Sequence, residues 1–192
     1  MKCMDTNVMI GIISIIVAIV IAIAPWIKKK FFTRPELTIE LVFDSGLNAN
    51  LGLSYKNDLS LGYIEGDKAI HVWSLTWKMK LIIRNNSDIT AHYPEIFLKN
   101  DALYFTKIDS LNKLKSITNT SEIVLNCEYQ KYSESTPDER PELGGFPQEF
   151  EDLKILLQYK NSAKMRFYTL FDFADKKEHN KFKGIRPKGF KK

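Results

Sequence analysis

The side chains best suited to catalysis or metal binding are few: three histidines and two cysteines among 192 residues. His71 opens an alternating run, His92 sits in the loop-like Ala91-His92-Tyr93-Pro94, and His179 lies in a basic C-terminal stretch. A helical zinc protease site needs two histidines one turn apart, and thiol redox or zinc chemistry needs paired cysteines. An acyl-transfer elbow needs a serine between glycines, and a phosphate loop needs glycines leading to a lysine. None of H-E-x-x-H, C-x-x-C, G-x-S-x-G or G-x-x-x-x-G-K occurs. Cys127 alternates onto the apolar side of its run, where a thiolate is disfavoured. Asp172, in a run that also holds Lys164 and Arg166, reads as a cross-strand charge partner. The residues predict no catalytic site, no cofactor and no metal, hence a protein that is not an enzyme.

Charge and hydropathy then say where these residues are held. The net charge of +5 is unevenly spread. Residues 28–34 carry Lys28, Lys29, Lys30 and Arg34 with no acid, and 176–192 carry eight basic residues against Glu178. The balance, −6, falls on 35–175, so the middle of the chain is mildly acidic. Residues 8–27 form an uncharged run, VMIGIISIIVAIVIAIAPWI, after a short leader at 1–7. At ~1.5 Å per residue this run spans roughly 30 Å, the hydrocarbon thickness of a bilayer. It has no polar stripe, which a soluble core helix would need. Ala22-Ile23-Ala24 resembles a signal cleavage site, but the apolar run continues through it to Ile27 and Pro25 follows the cut position. The run therefore predicts a single-pass signal anchor. The excess of Lys and Arg on its carboxyl side places the N-terminus outside and the domain in the cytoplasm, at the plasma (inner) membrane. Gly11, Ser14, Ala18 and Ala22 align on one side of this helix, a row that lets a second helix approach closely and predicts a homo-oligomer or membrane partner.

Beyond the basic linker 28–35 the period changes to two. Leu37, Ile39, Leu41 and Phe43 alternate with polar residues, as do Trp73, Leu75, Trp77, Met79, Leu81 and Ile83. Ile123, Leu125, Cys127 and Tyr129 repeat the pattern, followed by Leu153, Ile155, Leu157 and Tyr159, then Met165, Phe167, Thr169, Phe171 and Phe173. Such alternation marks antiparallel strands packed on one face. Asn85-Asn86-Ser87-Asp88 ends the tryptophan strand, a further strand is expected near Glu95–Lys99, and Lys160-Asn161-Ser162-Ala163 joins the last two strong strands as a hairpin. Short edge strands are expected at 51–55, 59–64 and 102–107. Seven to nine strands without helices predict an all-β domain over 36–175, an immunoglobulin-like antiparallel β-sandwich, with a small β-barrel as the alternative. Trp73 and Trp77 share parity with the apolar residues and read as core. Tyr168 and Leu170 lie on the polar face of their strand, either beneath the basic tail or as a contact surface.

Two segments break the rhythm. Residues 133–149, SESTPDERPELGGFPQE, mix prolines, glycines and carboxylates and read as a long solvated loop without the ligand order of a calcium-binding loop. Residues 176–192 read as a basic, flexible tail. Lys28, Lys29, Lys30, Arg34, Lys181, Lys183, Arg186, Lys188, Lys191 and Lys192 are the candidate contacts to an anionic membrane surface. The expected function is a membrane-anchored interaction or sensor module that binds an unknown protein partner. The alternative is a tethered nucleic-acid-binding protein acting through the same tail, with Phe182 and Phe190 interleaved among its charges.

Overall fold

The computed structural model describes residues 6–28, 33–57, 66–99, 105–175 and 177–190. Among the described residues one α-helix, α1 (Thr6–Ile27), precedes eight strands. Its large apolar side chains from Ile10 to Ile27 are 40% to 66% exposed all round, so it buries no stripe against the domain. Pro25 falls in its last turn, where its missing N–H leaves the Ile21 carbonyl without a helical donor but only two residues of the helix follow. α1 is long and apolar enough to cross a membrane.

The strands are β1 (Leu37–Leu53), β2 (His71–Asn85), β3 (His92–Leu98), β4 (Lys107–Ile108), β5 (Glu122–Ser135), β6 (Lys154–Lys160), β7 (Arg166–Asp172) and β8 (Asn180–Lys183). They form two four-stranded antiparallel sheets, ordered β1-β2-β5-β4 and β3-β6-β7-β8, as expected for an all-β sandwich. The register follows the alternation: Ile39 lies opposite Ile83, Leu41 opposite Leu81, and Met79 opposite Cys127. These residues meet Ile155, Leu157, Tyr159, Phe167 and Phe171 of the other sheet in one buried core. Trp77 is part of that core, with its ring 5.5 Å from that of Tyr129. Next to it, Phe150 of a short 3-10 helix (Gln148–Asp152) is fully buried amid Phe105, Tyr129, Phe146 and Phe173.

Two segments are more ordered than expected. Residues 133–135 belong to β5, and the connection after it is docked instead of solvated. Arg140 stacks over Trp73 at 5.2 Å, Asn48 donates to the Pro141 carbonyl at 2.5 Å, and Phe146 joins the aromatic cluster. A Cβ on Gly46 would meet Leu143 at 3.1 Å, so glycine there gives the loop room to lie close. The segment 176–192, expected as a flexible tail, instead contributes β8, which pairs with β7 from Tyr168 opposite Lys183 to Phe171 opposite Asn180. Four residues are too few to reveal a period, and the lysines hide the strand. Asn180 accepts from the Ile39 amide at 2.8 Å and donates to the Ile39 carbonyl at 2.9 Å, tying β8 to the edge of β1 across the two sheets. The chain then turns back through Gly189 (φ 90°), a backbone conformation suited to glycine, and buries Phe190 to 8% exposure against Phe97, Leu156 and Tyr168. Tyr168 is thus beneath the tail, and the second sheet is covered on both faces. Of the expected short strands, 51–53 extends β1 and 107 begins β4, while 58–65 and 100–104 lie outside the described residues.

Candidate functional site

The described end of the linker, Thr33 to Pro35, is held by the hairpin between β6 and β7. The Asn161 side chain donates to the carbonyl and hydroxyl of Thr33 at 3.1 and 3.0 Å. Its amide oxygen meanwhile accepts from the Met165 amide at 3.0 Å, bracing the turn. The Tyr159 hydroxyl donates to the Pro35 carbonyl at 3.1 Å and lies 3.2 Å from the Thr169 hydroxyl, which donates to the Leu37 carbonyl at 2.7 Å. These groups are buried, so each bond also spares a backbone carbonyl the cost of desolvation without a partner. Burial raises the pKa of Tyr159, keeping the phenol protonated as a donor. Arg34 is turned toward the domain: its guanidinium lies 4.9 Å from the Phe182 ring and 5.8 Å from the Phe167 ring.

The other expected surface residues divide. Lys28 is exposed at the end of α1, while Lys29, Lys30, Lys191 and Lys192 lie outside the described residues. Lys181 is ion-paired with Asp175, whose carboxyl is held down at about 2 by that ammonium and by the Glu178 and Lys177 amides. Arg186 lies 4.5 Å over the Phe97 ring and donates to the Phe190 carbonyl at 2.9 Å, whereas Lys183 and Lys188 are exposed. On α1, Gly11, Ser14, Ala18 and Ala22 are exposed, and the Ser14 hydroxyl donates back to the Ile10 carbonyl at 2.9 Å.

The chemistry-bearing residues do not converge. His71 pairs with Asn50, His92 with the Ser116 hydroxyl at 2.8 Å, and His179 stacks on Phe171. His71 lies opposite Ser135, eight residues from Cys127 along β5, which is roughly 27 Å at strand spacing. Asp172 is the cross-strand partner of Lys154. Among the described residues, no group of three or more His, Cys, Asp and Glu side chains is placed to hold a metal. A groove of about 610 Å³ opens between β1 and β8, walled by Ile39, Leu41, Phe146, Phe171 and Phe173. The polar groups at its rim are already engaged: Asn180 with Ile39, and Arg84 with Glu40 and Glu122. No family model and no curated protein matches the chain.

Sequence reasoning missed Tyr159, Asn161 and Thr169 as the residues that fix the linker. The only local signal was polar character: Asn161 and Thr169 occupy positions where they end up 2% and 0% exposed.

Burial pushes the Cys127 thiol up to about 12. An unfolded thiol ionises near ~8.5. Between these values only the unfolded chain loses the proton, so the thiol's contribution to stability is complete below pH ~8.5 and is lost as pH rises toward 12. In denaturant titrations, Cys127→Val is expected to lose less stability than wild type between pH 8.5 and 10. Equal slopes would mean that the thiol ionises normally in the fold.

Proposed function

We propose that this chain is a single-pass membrane protein whose immunoglobulin-like sandwich acts as a non-catalytic interaction or sensor module on the cytoplasmic side of the plasma membrane. The exposed apolar end of β1 carries the reading. β1 is 17 residues long, so its end lies roughly 50 Å along the strand from the docked linker. There Leu47, Leu51 and Leu53 are exposed, Leu51 to 58%, as is Tyr132, to 60%, on β5, two strands away across β2. Leu47 and Tyr132 share the outer face of the sheet, opposite Thr76 and Ser74 of β2, and exposed apolar side chains on a sheet face are a feature of protein contact surfaces. The strand order supports the immunoglobulin-like reading: β1-β2-β5-β4 and β3-β6-β7 follow the A-B-E-D and C-F-G order of constant-type domains, with β8 added beside the last strand. Trp73 and Trp77 lie on the second strand instead of the third, and Cys127 is a free thiol on the fifth.

The engagement of Lys181 and Arg186 within the fold leaves less charge in the tail for a nucleic acid, so a protein partner is favoured. The test is a photo-crosslinking residue at Leu51 or Tyr132 in the membrane-embedded chain, with Glu122 as the control position. A discrete protein adduct from Leu51 and Tyr132 but not Glu122 is expected; no discrete adduct at either would remove the reading. The small-residue row on α1 is proposed as a helix-association face. Ala18→Ile is expected to weaken a membrane two-hybrid signal that Val17→Ile, about 100° around the helix, leaves intact. Equal signals from the two variants would contradict it.

A further inference from the structure

The docked linker constrains which end of the sandwich meets the bilayer. Lys28 ends the helical run and Thr33 is already bonded to Asn161 in the β6–β7 turn. Five Cα steps separate them, which reach at most about 18 Å when fully extended. Whatever path those residues take, the turn therefore lies within about 18 Å of the end of α1, plus the direct contact between Asn161 and Thr33. Headgroups and interface occupy about 5–8 Å of each leaflet, and the screening length at physiological salt is about 8 Å. At full extension the turn stands about 10–13 Å beyond the headgroups, little more than one screening length, and any shorter path brings it within electrostatic range.

That turn is basic. Lys160 and Arg166 face each other across its closing pair, and Lys164 sits within it at φ 62°. Lys164 and Arg166 are exposed. Beside them on β3, Tyr93 is 52% exposed with φ 53°, and the Lys160 ammonium lies 5.3 Å over its ring. An aromatic ring with a polar tip next to lysines suits the interfacial layer of a bilayer. Of the described acids near this end, Glu95 of β3 is paired with Lys113, while three lie on the side of the first sheet: Glu36, whose amide is bonded to Ser87, Asp88, which holds Asn119, and Glu122, which is paired with Arg84. At the opposite end, Asp138, Glu139, Glu142 and Glu149 lie on the connection from β5 to β6. The acidic middle of the chain is therefore polarised, with its exposed basic turn at the tethered end.

We propose that the β6–β7 turn, with Lys160, Lys164, Arg166 and Tyr93, is a docking surface for the anionic headgroups of the bilayer that α1 crosses, and that it holds the sandwich turn-end down. This rests on α1 being membrane-inserted. A loose tether leaves the domain free to tumble above the membrane, whereas turn-end docking presents the apolar end of β1 away from the lipid, toward a partner. Each lysine or arginine near such a surface contributes on the order of fivefold to its occupancy.

The test uses the full chain, with Cys3→Ser and a fluorophore on Ser162→Cys, reconstituted into vesicles whose headgroups carry a quencher. Flotation of the vesicles after alkaline extraction first reports whether α1 is inserted, so a failure of the anchor is seen separately. Strong quenching is expected in vesicles containing phosphatidylglycerol and weak quenching in phosphatidylcholine alone. The combined Lys160→Gln, Lys164→Gln and Arg166→Gln variant is expected to reduce quenching in the anionic vesicles to the neutral level, with thermal unfolding unchanged. A label on Glu139→Cys is expected to remain unquenched in both. Equal quenching at Ser162 in the two lipids, or quenching that the triple variant leaves unchanged, would overturn the proposal. Single-stranded RNA retained by the wild-type chain but not the triple variant, without lipid-dependent quenching, would assign the turn to nucleic acid and overturn it equally.

Discussion

Trp77→Ala is expected to lower the unfolding free energy of the domain by about 3–5 kcal/mol, the usual cost of truncating a buried aromatic residue. Trp77 sits in the middle of β2, between β1 and β5, facing the second sheet. Its ring packs against Tyr129, whose own ring leads to Phe150 and from there to Phe105, Phe146 and Phe173. A cavity at Trp77 therefore opens onto an aromatic cluster of five further rings, where rigid rings relax poorly. Thr76→Ala, one residue away on the outer face, is expected to cost well under 1 kcal/mol. Denaturant unfolding followed by circular dichroism separates the two. Similar costs would mean that both faces of β2 carry the core.

The second large effect concerns the linker. Tyr159→Phe keeps the ring in its fully buried place but strips the Pro35 carbonyl of its donor, at an expected cost of about 1–3 kcal/mol. Adding Asn161→Ala removes both bonds to Thr33 and the brace on the turn. The double variant is expected to expose the Phe32–Thr33 peptide bond to limited chymotrypsin digestion in the folded protein, whereas wild type is cut there slowly. If wild type and the double variant are cut at the same rate, the linker is not held by the hairpin.

The long strands were legible because one parity of each is apolar and faces the core between the sheets, although β6 and β7 also bury residues of the other parity; β2, β5, β6 and β7 begin within a few residues of their expected places. The membrane-length helix was legible for the same reason, as twenty uncharged residues leave few alternatives. What escaped was everything decided by tertiary contact. β8 is four residues long and half lysine, so its composition spoke for a solvated tail. Phe190 is buried only because Phe97, Leu156 and Tyr168 leave a place for it on the outer face of the second sheet. Arg34 and Arg186 carry the charge expected of lipid contacts, yet their planar guanidinium groups lie over aromatic rings of the domain itself. The basic turn at 160–166 was visible only as a hairpin. Its three charges acquire meaning once Asn161 is seen to hold Thr33 beside it.

The account stands on α1 crossing the membrane with the sandwich behind it in the cytoplasm. Labelling with a membrane-impermeant maleimide in intact cells tests this most directly. One chain keeps Cys3 alone and another carries Cys3→Ser with Glu139→Cys, at an exposed position of the connection between β5 and β6. Cys127 is buried and remains silent in both native chains. The account predicts that Cys3 is labelled in intact cells and the residue 139 thiol only after permeabilisation. Labelling of residue 139 in intact cells, or of neither position before permeabilisation, would contradict it.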